Sequence, residues 1–494
     1  MVQKQKIKKK LTYGRHIIHS HPQKCYSNFL MHDKYKALKN KNNQEHKKFT
    51  FFTLTVSINL SLFAICLVFF FFLMLHSANA VSVEDPVKDP APRIKDFRLK
   101  VDLVNSGFKF PSSMAFLGPN DILVLEKNEG LVKRLVDGKL LPQPLLQVPV
   151  ANVGERGLVG IAVAKNQTGL TRVFLYYTKS GGGVTGDDWT DKVPCCNVLY
   201  RYDFLDNKLV NPKLLLSVPA DLGSLHNGGR IIIGPDRDLY VGVGDIGGHE
   251  SLTQNFRNST QPIGSVIYRI SQDGEPVGGI LNNTDPINKF YAYGMRNTFG
   301  MDFDPLTNKL WDTENGPKFG DEINLVEPGF NSGWKQIQGL WKPIGPKGYE
   351  VEGPFIADPS NSRLVDFAGK GKYSSPELVW KYTIGPTALK FLTSEKLGKQ
   401  YENDMFVGDI NDGNLYHFKL NGNRTELLLK GLHGNVILKP EENYNFIFGI
   451  NFGRGITDLQ LGPDGYLYVL TIPDWVDQLA KSMVGGRLYV IKNQ

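Results

Sequence analysis

Cysteine is scarce in this chain, with 4 residues in 494. That excludes a small fold stapled by disulfides. There is no Cys-x-x-Cys and no histidine-rich set, so zinc and iron–sulfur chemistry have no ligands. The 51 glycines and 28 prolines follow no Gly-X-Y period, which excludes collagen and leaves them as turn residues. Residues 49–80 lack Asp, Glu, Lys and Arg altogether. Residues 97–494 lack helix-period segments as strong as their strand signals. What is present, 41% hydrophobic and 11% aromatic residues, excludes a disordered chain.

The net charge of +8 raises the question of nucleic acid. Residues 1–48 hold 13 Lys and Arg but only Asp33 and Glu45, a net of +11. Taking these from the 57 basic and 49 acidic residues leaves 44 and 47 for the rest, a net of −3. The body is slightly acidic, and no nucleic-acid footprint survives the split.

The charge pattern divides the chain. Residues 1–49 read as a basic cytoplasmic leader. Residues 50–80 read as a signal peptide or a transmembrane anchor. The uncharged run 51–75 is long enough to cross a bilayer as a helix. Ala78 and Ala80 resemble a signal-peptidase site, and either way the basic flank sends the body outside the cytoplasm. If it is not cut, membrane contact runs through residues 50–75. Residues 81–96, with three prolines, read as a linker. The folded body is expected over 97–494.

That body reads as all-β. Short runs rich in Val, Ile, Leu and Tyr recur at 121–125, 172–177, 198–202, 239–243, 266–270, 405–407, 467–470 and 488–491. A weak repeat places a Gly-Pro-Asx turn before a Leu-Tyr-Val-like strand. It appears at Gly118-Pro119-Asn120, Gly234-Pro235-Asp236 and Gly462-Pro463-Asp464. A longer-turned copy surrounds Asp304-Pro305. Repeated strand–turn–strand units predict a six-bladed β-propeller, with roughly 66 residues per blade. Two β-sandwiches are the alternative.

The body has four histidines: His226, His249, His417 and His433. His226 stands before a predicted strand in His226-Asn227-Gly228-Gly229-Arg230, beside glycines that let a ligand approach. It suits a general base, and Asp245 suits its orienting carboxylate if the two strands form a hairpin. A loop histidine bonded to a carbonyl is the plain alternative. Arg296-Asn297 offers a donor fork and an amide for carboxylate or quinone oxygens, or else a structural bridge between blades. The turn Gly316-Pro317 with Asp321 and Glu322 has the oxygen ligands that Ca²⁺ uses, though not at EF-hand spacing. Glu155, in Gly154-Glu155-Arg156-Gly157, reads as a loop residue facing the propeller mouth. Cys195 and Cys196 are adjacent, and they read as free thiols or a surface pair without a catalytic role. Sequons at Asn166, Asn258, Asn282 and Asn423 fit an extracellular body.

In this order the motifs resemble the glucose/sorbosone dehydrogenase family of soluble quinoproteins, over about residues 97–494. The resemblance also draws on Gly294-Met295-Arg296-Asn297, Glu314-Asn315-Gly316-Pro317, Asp321-Glu322-Ile323-Asn324 and Gly329-Phe330-Asn331-Ser332-Gly333-Trp334. It implies a six-bladed propeller that oxidises an aldose at C1 with pyrroloquinoline quinone (PQQ) and Ca²⁺. It implies His226 as the base with Asp245 beside it, and Glu155 facing the sugar. Arg296 and Asn297 would hold the quinone oxygens, with Arg454 a further cation. The Gly316 and Pro317 carbonyls would hold the cofactor's Ca²⁺, and Asp321 and Glu322 a structural Ca²⁺. The implied partners are a small sugar and an unidentified electron acceptor.

The sequence departs from the family late in the chain. Asn411 stands where the resemblance calls for a lysine, and Thr457 lies in a segment where it calls for arginines. Each charge-assisted bond contributes on the order of 1.5–3 kcal/mol, so losing two weakens quinone binding by about 10²-fold or more. A non-catalytic extracellular propeller that binds a glycan or protein is the rival expectation.

Overall fold

Strands Pro111–Gly118, Asp121–Glu126 and Leu131–Val136 form an antiparallel meander edged by Lys139–Leu140 and Leu146–Gln147. The computed structural model describes residues 91–166, 168–190, 192–248, 253–255, 263–345, 350–352, 364–472 and 484–494. The leader, the apolar segment 50–80, His249 and the sequon at Asn258 lie outside the described residues. Among the described residues no helix is long and apolar enough to cross a membrane.

Five more sheets of four or more strands follow, besides the small pair Lys342–Ile344 and Glu350–Glu352. The second is the meander Leu158–Lys165, Thr171–Lys179, Cys196–Leu205 and Lys208–Pro219. The third begins Ile231–Ile233, Leu239–Val243, Val266–Ile270 and Phe290–Tyr293. The fourth begins Thr298–Phe303, Leu310–Glu314 and Asp321–Val326. The fifth begins Pro386–Phe391, Met405–Asp409 and Leu415–Phe418. The sixth joins Gly455–Leu461, Leu467–Ile472 and Val484–Asn493 to the early strand Leu99–Lys109. The first strands of these sheets contact one another in chain order, and the last contacts the first. The fold is an all-β propeller.

Leu99–Lys109 pairs with the last strand, so the two ends of the body close one sheet. Arg93–Ile94 pairs with Ile450 and Gly449 in the fifth sheet. These two residues, expected in the linker, therefore belong to the folded body, which starts before residue 97. A proline-rich composition hid them, because strand pairing supplies their order.

Strand alternation explains the packing. In Asp121–Glu126, Leu123 and Leu125 face a cluster with Leu158, Val173 and Leu175 of the second sheet. Ile122 and Val124 face the opposite way, against Leu470, Leu488 and Val490 of the sixth. Both faces are buried, so the strand reads as a continuous apolar run. Burying each such side chain contributes about 1.5–3 kcal/mol.

The sequence repeat is a structural device. Asp236 accepts the Asp238 N–H at 3.1 Å and the Tyr240 hydroxyl at 2.8 Å. Asp464 does the same for Tyr466 N–H at 3.2 Å and Tyr468 at 3.0 Å. A Cβ on Gly234 or Gly462 would stand 2.5 or 2.4 Å from those carboxylates, so a larger residue there would push the capping aspartate aside.

Candidate functional site

Each first strand of a sheet leads off from the same end of the ring, so the residues just before it gather at one mouth. Glu155 precedes Leu158–Lys165, His226 precedes Ile231–Ile233, and Arg296 and Asn297 precede Thr298–Phe303. Each second strand runs antiparallel and returns there. Asp245 follows Leu239–Val243, and Gly316-Pro317 follows Leu310–Glu314. Topology thus collects residues scattered over about 160 positions of sequence.

Asp245 and His226 meet as the hairpin reading expects. His226 Nδ1 lies 2.5 Å from Asp245 Oδ1. Asp245 is fully buried, and His226 is 8% exposed. Burial pushes the Asp245 carboxyl up. The hydrogen bond and charge of His226, the charge of Arg296 and the Gly248 N–H outweigh burial, so it lies below its ordinary value. Asp245 is therefore ionised at neutral pH and fixes Nδ1. Nε2 remains as the ring nitrogen for a substrate proton.

The main chain also positions the histidine. His226 sits at φ 57°, a left-handed conformation that a non-glycine residue adopts at a cost. Its N–H donates to Glu155 Oε2 at 2.6 Å, which holds it there. The glycines beside it are also required by packing. A Cβ on Gly228 would meet Gly242 O at 2.3 Å, and one on Gly229 would meet Val159 Cγ2 at 2.3 Å.

Arg296 donates through Nη1 to Asn315 O at 2.7 Å and Gly316 O at 2.9 Å. Its N–H donates to Glu314 Oε1 at 2.6 Å. Asn297 Nδ2 reaches Glu155 Oε2 at 3.4 Å, while its buried Oδ1 has no partner among the described residues. That orphan acceptor lies close to Gly244, as do the His226 and Arg296 backbone carbonyls. The Arg296 charge suits an anionic, oxygen-rich ligand, and the Asn297 acceptor suits a ligand hydroxyl or N–H. The Gly316 carbonyl is already engaged by Arg296, so a Ca²⁺ there would use its second lone pair.

Asp321 and Glu322 have separate surroundings. Asp321 accepts the N–H groups of Gly316, Ile384 and Gly385 at 2.7–2.8 Å. Burial nevertheless raises its carboxyl to about 6. Glu322 accepts from Gln338 at 2.8 Å and Gly339 at 2.5 Å, and from Ser332, which also bonds Glu314. Burial raises Asp312 to about 8 and Glu314 to about 7. Among the described residues no three His, Cys, Asp or Glu side chains are grouped to hold a metal.

Two departures from the family pattern are neutral groups bonded to backbone. Asn411 donates to Thr383 O at 3.3 Å, and Thr457 to Leu470 O at 3.3 Å. Arg454 is half-buried just before Gly455–Leu461. Cys195 and Cys196 form a disulfide, where the sequence reading left free thiols open.

Sequence reasoning gave no role to three residues. Trp334 donates its indole N–H to Asp245 Oδ2 at 2.9 Å and lies under Arg296 at 5.5 Å. Buried Lys127 donates to Gly154 O at 2.9 Å and Arg156 O at 2.7 Å, the carbonyls flanking Glu155. Asp458 pairs with Arg230 at 2.5 Å and also accepts from Ser113 and Met114. Only Trp334 had a signal, as the end of the Gly-Phe-Asn-Ser-Gly-Trp motif.

Known proteins resemble this chain in sequence and fold. The model of the glucose/sorbosone dehydrogenase family matches residues 108–475. An aldose sugar dehydrogenase of Escherichia coli is 26% identical over 384 residues, covering 76% of this chain and 90% of its own. A quinoprotein glucose dehydrogenase of Acinetobacter calcoaceticus is 27% identical over 267 residues, or 50% and 54% of the two chains. Among solved structures, a putative glucose dehydrogenase of Thermus thermophilus matches at TM-score 0.58 and 26% identity, covering 80% of this chain and 99% of its own. A PQQ-bound aldose sugar dehydrogenase of Streptomyces coelicolor shares the fold at TM-score 0.54 and 23% identity, covering 81% and 100%.

Proposed function

The chain belongs to the glucose/sorbosone dehydrogenase family, and on that premise we propose that it is an extracytoplasmic dehydrogenase oxidising an aldose at C1. We read its six sheets of four or more strands as six blades. The observation that carries the activity is ionised Asp245 holding His226 Nδ1 at the mouth where Glu155, Arg296 and Asn297 converge. The names of the E. coli and Acinetobacter relatives support an aldose and a quinone.

His226 Nε2 takes the C1 hydroxyl proton. Asp245 steadies the imidazolium that forms, and Trp334 steadies Asp245. Glu155 holds the His226 backbone and faces the sugar's hydroxyls. Arg296 and Asn297 would hold PQQ through its oxygens, and the Gly316 and Pro317 carbonyls would hold Ca²⁺. When bound, the quinone supplies a two-electron acceptor for the C1 hydride and Ca²⁺ a Lewis acid. The sugar leaves as a lactone. The electrons pass to an acceptor still to be identified.

The uncharged segment 50–80 behind a +11 leader supports export, whether it is cut or kept as an anchor. Sequons on exposed Asn282 and Asn423 agree with that side of the membrane. Neutral Asn411 and Thr457 favour weaker quinone binding, and the non-catalytic propeller is its limiting case.

The test uses the full-length chain with Ca²⁺ and PQQ, a reducible dye and a panel of aldoses. Saturable quinone binding and sugar-dependent dye reduction are expected, and His226→Ala abolishes reduction in a chain that still folds, at a lower melting temperature because buried Asp245 loses its partner. No reduction with any sugar, together with no retained quinone, overturns the reading.

A further inference from the structure

We propose that Asn282 and Asn423 carry N-linked glycans, and that these glycans cover the face of the propeller opposite the mouth. The proposal rests on the extracytoplasmic reading of the body, since this modification belongs to secreted chains.

Topology sorts the connections between two ends of the ring. First strands leave the mouth and second strands return to it, so the turns between them lie at the far end. Third strands run antiparallel to the second, and the connections that follow them lie at the far end too. Asn282-Asn283-Thr284 stands in such a connection, between Val266–Ile270 and Phe290–Tyr293. Asn423-Arg424-Thr425 stands in another, after Leu415–Phe418.

Contacts between sheets fix the second position. Arg424 Nε donates to the two Asp304 oxygens at 2.8 and 2.7 Å. Asp304 lies in the turn between Thr298–Phe303 and Leu310–Glu314. Arg424 Nη2 donates to Asn403 O at 2.5 Å, in the turn between Pro386–Phe391 and Met405–Asp409. Both turns follow first strands, so the middle residue of this sequon is bound to the far end from two sides.

The fold must also accommodate a bulky polar group. Residues 282–285 are exposed, and so are Gly422 and Asn423. Asn282 Oδ1 accepts the Thr284 N–H at 3.1 Å and its hydroxyl at 2.7 Å. A glycan attaches through Nδ2, so both bonds persist in the modified chain. Buried Leu281 anchors that loop in the core of the third sheet. Asn166 lies at the same end, but it is half-buried and its Oδ1 takes the Thr168 N–H, the Thr168 hydroxyl and the Leu170 N–H. The assignment is therefore confined to the two exposed asparagines.

An exposed leucine gives one glycan something to cover. Leu306 is 61% exposed, and its N–H donates to Asp304, the carboxylate that holds Arg424. A glycan one residue from Arg424 shields that side chain from neighbouring molecules.

The co-reactant is an oligosaccharide joined through its C1 to a lipid diphosphate. The bond from Asn Nδ2 to C1 forms as the C1–phosphate bond breaks. The amide gives up one proton and the lipid diphosphate leaves with the bonding pair, so nothing is oxidised or reduced.

The test expresses the full-length chain in a eukaryotic secretory host. N-glycosidase converts each glycosylated Asn to Asp, and peptide mass should mark positions 282 and 423. Asn282→Asp and Asn423→Asp, which keep a side-chain acceptor in each turn, should each lose one glycan's step in gel mobility. Enzymatic removal of both glycans should leave sugar oxidation unchanged and increase aggregation on heating. An exported chain with Asn282 and Asn423 unmodified overturns the proposal. Sugar oxidation that changes on removal overturns their placement away from the mouth. A chain retained in the cytosol with neither site modified overturns instead the extracytoplasmic reading on which the proposal rests.

Discussion

Asp245 Oδ1 stands 2.5 Å from His226 Nδ1, although nineteen positions separate them in sequence. The pairing of Ile231–Ile233 with Leu239–Val243 brings them together, because one residue enters that hairpin where the other leaves it.

Asp245→Asn tests that relationship. The amide keeps the shape but neither fixes the donor at Nδ1 nor stabilises an imidazolium. The expected result is a fall in kcat of about 10²–10⁴-fold with little change in KM, read from steady-state kinetics. An unchanged kcat would remove Asp245 from the mechanism.

Trp334→Phe keeps an aromatic face under Arg296 and deletes the N–H on Asp245 Oδ2. A buried carboxylate then lacks one of its donors, worth about 1–3 kcal/mol. A lower melting temperature and a kcat reduced by about tenfold are expected. Activity equal to the native chain would show that the N–H does not position Asp245.

Arg230 and Asp458 join the third sheet to the sixth across the ring, and both side chains are buried. Arg230→Met leaves Asp458 charged and short of its cation. Denaturant unfolding should show a loss of about 3–5 kcal/mol. Adding Asp458→Asn should recover part of that loss, since Ser113 and Met114 still have an acceptor.

Asp409 gives a pH dependence with a definite sign. Burial raises its carboxyl from 3.8 to about 7, against the N–H groups of Asp412 and Asn414 and the Tyr416 hydroxyl. The folded state therefore holds a proton that the unfolded chain releases near pH 4. The contribution is fully present below pH 4 and is lost as pH rises through about 7. Melting curves from pH 4 to 8 should show a decline that is shallower in Asp409→Asn. A decline of equal slope in both proteins would exclude Asp409 as its source.

Much of the fold is legible in the residues. The Gly-Pro-Asp turns at 234 and 462 carry their own reason, since each aspartate caps its own loop and holds the tyrosine that follows. Apolar alternation marked the strands. Arg93–Ile94 escaped, because two residues in a proline-rich stretch have no periodicity and take their order from a partner more than 350 positions away.

The site was legible in part. His226, Asp245, Glu155, Arg296 and Asn297 stood out as polar residues flanked by glycines, and the ring gathers them. Lys127 and Asp458 gave no signal. A lysine or an aspartate in a strand-rich chain looks like an exposed charge until packing buries it against named carbonyls or a named arginine.

The sequence by itself determined the strands, their turns and the split of +8 into a +11 leader and a body at −3. These are local properties, carried by alternation, by turn residues and by runs of one charge. The tertiary structure decided what faces what. It set His226 on Asp245, placed Trp334 beneath Arg296 and gave Asp321 and Glu322 separate partners. Those outcomes depend on ring closure and on burial far from water, which no local stretch of residues encodes.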